Sequence, residues 1–332
     1  MVVFYVLLSL TVFALLLCLY TYRVCFHSPA RRDSDPYQPL TGEQYEAVAD
    51  NMFAVTRIME NGVFEPVSIT TSDGLKLCGR YYHKHDGAPV QILFHGYRSL
   101  ALRDCAGGYI LADKMGFNIL AVDQRSHANS EGRAITFGIC ERYDCVAWAE
   151  YISQRFGANT PIVLSGLSMG AATVLMASEL DLPENVVCII ADSPYSSPKA
   201  IIRKVCRDRH LPDWLAYPFI RIGAKLFGGF SIEECSAEDA VRNARIPILL
   251  IHGEDDRFVP CRMSKRIFRA CSSPAHLHTF PNAGHGLCYM SDPLRYEKII
   301  IHFLLEIPDL KDYLSNNSYV QREMSGKSLF SE

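Results

Sequence analysis

The 332-residue chain has almost no charge imbalance: 33 basic and 36 acidic residues leave a net charge of −3. Nothing in that balance points to nucleic acid or another polyanion, so any electrostatic argument has to be local. No C-x-x-C pair and no paired Cys/His spacing occurs, although twelve cysteines are spread from Cys18 to Cys288. That absence argues against a zinc site or a thioredoxin-like motif, and no metal or organic cofactor is implied. A chain of this length needs no disulfide staples, and thiols such as Cys188 in V-V-C-I-I act as small hydrophobes. They read as reduced, which favours a reducing compartment. Internal repeats and low-complexity blocks are also missing, as in an ordinary globular chain. Residues 1–22 lack charge altogether.

That uncharged run is long enough to matter. About 20 helical residues at ~1.5 Å each span the ~30 Å hydrocarbon core of a bilayer, so residues 1–22 read as a single-pass transmembrane anchor. The competing reading is a cleaved signal peptide and a secreted domain. Against it, no basic segment precedes the run, and the run exceeds the ~7–15 apolar residues of a signal core. Arg23, Arg31 and Arg32 all follow the run. The positive-inside rule then puts the next domain on the cytoplasmic side.

Residues 23–62 read as a linker and an N-terminal helix: 26–40 are rich in Pro and charge, and a helix over 41–60 starts near Thr41 with Glu43 and Gln44 in its first turn. From Phe64 the pattern becomes strands. Val67, Ile69 and Thr71 alternate, Ser72-Asp73-Gly74 supplies a turn, and Leu75, Leu77 and Gly79 continue, which predicts a hairpin. Short apolar runs then recur at 90–94, 117–122, 162–164, 186–191, 246–251 and 277–280, separated by helical patterns at 100–115, 138–156, 169–180, 261–271 and 291–306. Runs apolar on both faces belong to a parallel sheet covered on both sides, so the fold class is α/β. About fifty residues separate the strand ending at Asp192 from the one starting at Ile246, too many for one crossover helix. Residues 197–240 are therefore expected to form a small helical cap. Residues 307–332 read as a polar C-terminal tail.

The strongest motif is G-L-S-M-G, Gly166 to Gly170. A G-x-S-x-G match arises by chance on the order of 0.1 times in a chain this long. Here it follows the strand P-I-V-L-S and precedes the helix A-A-T-V-L-M-A-S, the setting a nucleophile elbow requires. On these residues the chain resembles the α/β-hydrolases over about residues 64–306, nearest to the serine-aminopeptidase and monoacylglycerol-lipase-like branch. The resemblance implies a mostly parallel eight-stranded sheet flanked by helices, with a cap after strand 6. It also implies a serine followed in chain order by an acid and a histidine. I-H-G-E-D-D-R-F-V-P supplies Asp256 after an apolar strand, and N-A-G-H-G supplies His285. Asp255 and Asp192 are rival acids, and the D-x-x-V-P spacing favours Asp256.

Such chemistry needs a serine activated by an imidazole that a carboxylate orients. Ser168, His285 and Asp256 fill those roles in the resemblance. The oxyanion donors it implies are the backbone N–H groups of Met169 and of Tyr97, which follows His95 and Gly96 in L-F-H-G. V-D-Q-R-S-H-A-N-S-E-G, residues 122–132, is similar to the family's D-x-R-G-H-G-x-S, with Ser126 and Ala128 in place of glycines. His95, His127, His252, His276, His278 and His302 read as structural. His276 and His278 share a strand face without an evident third ligand.

Seven basic residues between Lys199 and Lys225 face two acidic ones, beside Trp214, Tyr217, Phe219, Phe227 and Phe230. Such a cap suits an anionic bilayer surface or an acyl substrate, and equally an ordinary solvated surface. The expected reaction is cleavage of a lipid-like or small apolar acyl ester or thioester. An amidase or aminopeptidase of the same fold, and a silent membrane-anchored scaffold, are the alternatives. Oligomeric state is not legible.

Overall fold

The computed structural model describes residues 1–28, 35–38 and 42–325. Thr41, Arg31, Arg32 and the last residues of the tail lie outside the described residues. Eight strands form one sheet: β1 (Glu65–Thr70), β2 (Lys76–Tyr82), β3 (Val90–Phe94), β4 (Asn118–Asp123), β5 (Ile162–Leu167), β6 (Val186–Asp192), β7 (Ile248–Gly253) and β8 (Ala275–Phe280). Their order across the sheet is β1-β2-β4-β3-β5-β6-β7-β8. The β1–β2 hairpin turns at Gly74, and β2 joins β4 antiparallel; every later pairing is parallel.

The interior strands β3 and β7 are buried at every position, because helices cover both faces of the sheet. Strand alternation divides β7 between the two core layers. Ile248 and Leu250 join Trp148 and Met176 in the layer under helices Glu141–Phe156 and Met169–Ala177. Leu249 and Ile251 join Tyr82, Phe117, Phe280 and Ile301 in the layer under helices Ala106–Lys114 and Pro293–Leu305. The region after β6 is helical over Pro198–Asp208, Asp213–Gly223 and Ala237–Ala240, with a wide turn at Ala224–Gly228.

Three parts depart from the sequence reading. Residues 308–324 form helices Pro308–Ser315 and Ser318–Met324; Leu310 and Leu314, one turn apart on the first, and Val320 on the second bury themselves on the second core layer. Residues 23–28 are packed into the domain. The helix Val2–Cys25 runs straight into Phe26, which is fully buried between the rings of Phe137 and Phe230 at 5.7 and 5.3 Å. A bridge between His27 and Ala134 extends that contact. The expected helix over 41–60 is broken into Glu43–Glu46 and Ala49–Glu60.

Candidate active site

Ser168 stands between β5 and the helix Met169–Ala177 with φ 56° and ψ −111°. A non-glycine residue in that region is strained, and only a tight strand-to-helix turn holds it there. The glycines make the turn possible. A Cβ on Gly166 would lie 2.3 Å from the Gly170 carbonyl carbon, and one on Gly170 would lie 2.1 Å from the Phe94 carbonyl oxygen. The elbow is therefore pressed directly against the end of β3.

The sheet order brings three distant loops to this point. His285, in the loop after β8, has Nε2 2.9 Å from Ser168 Oγ and Nδ1 2.7 Å from Asp256 Oδ2. Those distances fit a neutral imidazole accepting from the serine hydroxyl and donating Nδ1–H to the carboxylate. Asp256 is buried, and its Oδ1 accepts from the Phe258 and Val259 N–H groups at 2.9 and 2.7 Å. Burial pushes its carboxyl upward, but the bonds from His252 and His285 outweigh this and hold it well below the ordinary carboxylate range. The rivals are placed elsewhere. Asp255 is exposed, and Asp192 is buried at the end of β6, where it accepts from the Ser193 hydroxyl and burial raises its pKa.

The H-G turn lies beside the serine. Its backbone is held by side chains that the sequence reading did not single out: Asp104 accepts from the Gly96 N–H at 2.8 Å. Both flanking histidines serve the same loop. His95 Nε2 accepts from the Gln124 N–H, and His127 Nε2 accepts from the Arg98 N–H, each at 3.0 Å. Burial, helped by His127, depresses the His95 pKa to about 3, so it stays neutral. The Tyr97 and Met169 N–H groups donate to no protein group among the described residues. Ser126 and Ala128 keep a glycine-like backbone, at φ 64° and 42°. Arg125 in the same loop is clamped bidentately on Asp144. His276 bonds Glu306 at 3.0 Å and stacks near His278 on the edge strand β8, while His252 spans Ser264 and Val259.

A cavity of about 320 Å³ opens over Ser168. Tyr45, Met52, Leu167, Phe258, Tyr289 and Met290 line it. Tyr45 and Met52 come from the segment that looked like a linker and helix, and the Tyr45 hydroxyl donates to the His285 carbonyl at 3.1 Å. Nothing local in G-E-Q-Y-E marks such a role, since its partner lies 240 residues away.

Comparison with known proteins agrees with this architecture. The Alpha/beta hydrolase family matches residues 91–299. A Bacillus subtilis protein of uncharacterised function, YqkD, is 25% identical over 242 residues, covering 73% of this chain and 79% of that one. The lysophosphatidylserine lipase ABHD12 of Danio rerio is 25% identical over 220 residues, covering 62% of this chain and 52% of its own length. Among solved structures, an esterase of Pyrococcus furiosus shares the fold with a TM-score of 0.62 at 22% identity, covering 85% of this chain and 99% of that one. With the family match running from β3 into the helix that follows β8, on a sheet of this order, the chain belongs to the alpha/beta hydrolase family.

Proposed function

We propose that the protein is a membrane-anchored serine hydrolase that cleaves an acyl ester or thioester of a lipid-like or otherwise apolar substrate. The observation that carries this reading is the unbroken relay Ser168–His285–Asp256, at 2.9 and 2.7 Å, on the floor of a largely apolar cavity. Ser168 Oγ attacks the acyl carbonyl carbon while His285 Nε2 takes its proton, and Asp256 holds the resulting imidazolium. The backbone N–H groups of Tyr97 and Met169 receive the oxyanion. His285 returns the proton to the leaving alcohol or thiol, and water then releases the acyl group from Ser168 by the reverse sequence.

The relative named for lysophosphatidylserine hydrolysis favours a lipid ester over an amide. An aminopeptidase needs a carboxylate free to bind the substrate amine, and both acids lining the cavity are occupied, Asp104 by the Gly96 N–H and Arg103 and Asp192 by the Ser193 hydroxyl. We read residues 1–22 as a retained anchor, because a signal cleaved after them would detach the helix that leads into the buried Phe26. Arg23 after the apolar run supports a hydrolase domain on the cytoplasmic side.

A fluorophosphonate probe should label the wild-type protein at Ser168, and Ser168→Ala should abolish labelling. Absence of labelling in the wild type rejects the hydrolase mechanism. Faster turnover of aminoacyl amides than of medium-chain esters would move the assignment to a peptidase.

A further inference from the structure

The N-terminal helix is exposed all round only as far as Phe13. From Ala14 onward one face is covered: Ala14, Leu17, Cys18, Thr21, Tyr22 and Cys25 follow a spacing of three and four and lie against the domain. The uncovered part, Val2–Phe13, reaches only about 18 Å at ~1.5 Å per residue, against a hydrocarbon core of ~30 Å. Crossing that core takes about 20 residues, so the stretch from Ala14 to about Thr21 must also lie in the hydrocarbon. Any tilt lengthens the stretch required.

What covers this stretch is the cap. A Cβ on Gly223 would lie 2.4 Å from the Cys18 carbonyl oxygen, so the helix Asp213–Gly223 touches the anchor backbone directly. The Thr21 hydroxyl lies 3.2 Å from the Phe219 carbonyl. Phe219 beside Thr21 and Gly223 beside Cys18 make the two helices antiparallel, so the cap helix descends toward the bilayer centre as its numbering rises. Its exposed face along that descent is mostly apolar, with Arg221 and Lys225 as its charged members. Trp214 is 71% exposed at the shallow end with Leu215, and Ile222 and the 56% exposed Leu226 follow at the deep end, while the Phe227 ring turns back onto Tyr22 with centroids 6.1 Å apart.

The charges suit the same arrangement. Of the seven basic residues between Lys199 and Lys225, five are paired inside the cap: Lys199 and Arg221 with Glu233, Arg203 and Arg207 with Asp213, and Lys204 with Asp208. Arg209 and Lys225 make no ion pair among the described residues. A lone lysine beside lipid-facing leucines reaches lipid phosphate by extending its stem. Arg23, just past the embedded turns of the anchor, stands at headgroup level.

We propose that the cap is a second membrane element: Asp213–Gly228 sits inside one leaflet of a phospholipid bilayer beside the anchor, entering at Trp214 and reaching deepest at Ile222 and Leu226. This rests on reading Val2–Cys25 as a membrane span. The hydrolase domain is then seated in the bilayer surface. Tyr97, whose hydroxyl donates to the Cys25 carbonyl at 2.8 Å, is held at headgroup level, close to where acyl lipids present their esters.

The chain's two tryptophans make this measurable in the full-length protein. Trp148 is fully buried, so the difference in emission between wild type and Trp214→Phe belongs to Trp214. The probes are phosphatidylcholine–phosphatidylglycerol vesicles with acyl chains brominated midway along their length, and aqueous iodide. Trp214 should be quenched in part by the brominated lipid. In the Trp214→Phe background, Leu226→Trp should lose more than about half of its emission to the lipid and none to iodide, as expected below the headgroups. Both substitutions change exposed side chains, and matching melting curves establish that the fold is intact. Iodide quenching of both positions without an effect of bromine overturns the proposal, and so does deeper quenching at 214 than at 226. Alkaline carbonate tests the anchor separately: protein stripped from the vesicles rejects the span, whereas protein retained with bromine-blind tryptophans rejects only the cap's immersion.

Discussion

Two close backbone approaches organise this molecule, and they differ in how far apart the touching residues lie. At the elbow, Gly170 meets the end of β3 at Phe94, and a motif of five consecutive residues announces the contact. At the junction of anchor and cap, Gly223 meets Cys18 across 205 positions, and A-Y-P-F-I-R-I-G-A-K carries no mark of it. The first approach places a nucleophile. The second fixes how the whole domain sits against the N-terminal helix. A backbone contact is legible when the turn that makes it is local, and silent when two distant elements share it.

If the two regions do separate jobs, substitutions should sort cleanly between chemistry and seating. The largest effects belong to the elbow. Ser168→Ala should lower kcat by about 10⁶-fold and Asp256→Asn by about 10⁴-fold, as triad replacements do elsewhere, with the anchor still resisting carbonate. Steady-state ester hydrolysis on vesicles measures both. A loss of under tenfold in Ser168→Ala would remove the elbow from the comparison.

Next come the glycines themselves. Gly170→Ala drives a methyl into the Phe94 carbonyl and should cost about 1–3 kcal/mol of stability together with most of the activity, since the serine moves with the strain. Gly223→Ala should cost a similar amount in thermal unfolding while kcat on a soluble ester stays within about threefold, because only the helix contact is wedged open. Equal losses of kcat in the two variants would show that seating and chemistry are one device.

Tyr97→Phe sharpens the same question, because Tyr97 touches both regions. It removes the hydroxyl that donates to the Cys25 carbonyl and leaves the backbone N–H in place. Losing one such hydrogen bond costs about 1 kcal/mol, so kcat should fall about fivefold if the anchor's end steadies the oxyanion loop. An unchanged kcat with a lower melting temperature would mean that the bond serves only the seating.

The smallest expected effect concerns the loop between the two regions, where Ser126 contributes its carbonyl to the Ser28 hydroxyl at 3.3 Å. Ala128 holds φ 42° without a glycine's freedom, so Ala128→Gly should stabilise the fold by about 0.5–1 kcal/mol after allowing for the extra entropy of the unfolded chain. A drop in the urea midpoint would show that the loop's shape is imposed by its neighbours without strain at this residue.

The site was legible in outline. G-L-S-M-G, H-G and N-A-G-H-G each announce a local turn, and the strand runs that precede them are buried on both faces. Spacing favours Asp256 over Asp192 and Asp255, and the fold supplies the physical reason: of the three, only Asp256 is at once buried, bonded to two backbone N–H groups and within reach of His285. Tyr45 and Met52 were unreadable as cavity residues, since they act across a gap of well over a hundred positions. The C-terminal helices were misread because their three buried residues are outnumbered by polar ones that face solvent.

By itself, then, the amino-acid sequence determined the alternation of strands and helices, the elbow, the order of serine, acid and histidine, and an apolar helix of membrane-spanning length. These depend on spacing within a few residues, which period and turn chemistry govern. Tertiary structure alone decided which segment roofs the cavity and how the N-terminal helix lies on the cap. Those outcomes depend on backbones meeting across the sheet and the cap, where the partner of each residue is set by packing and not by its neighbours in the chain.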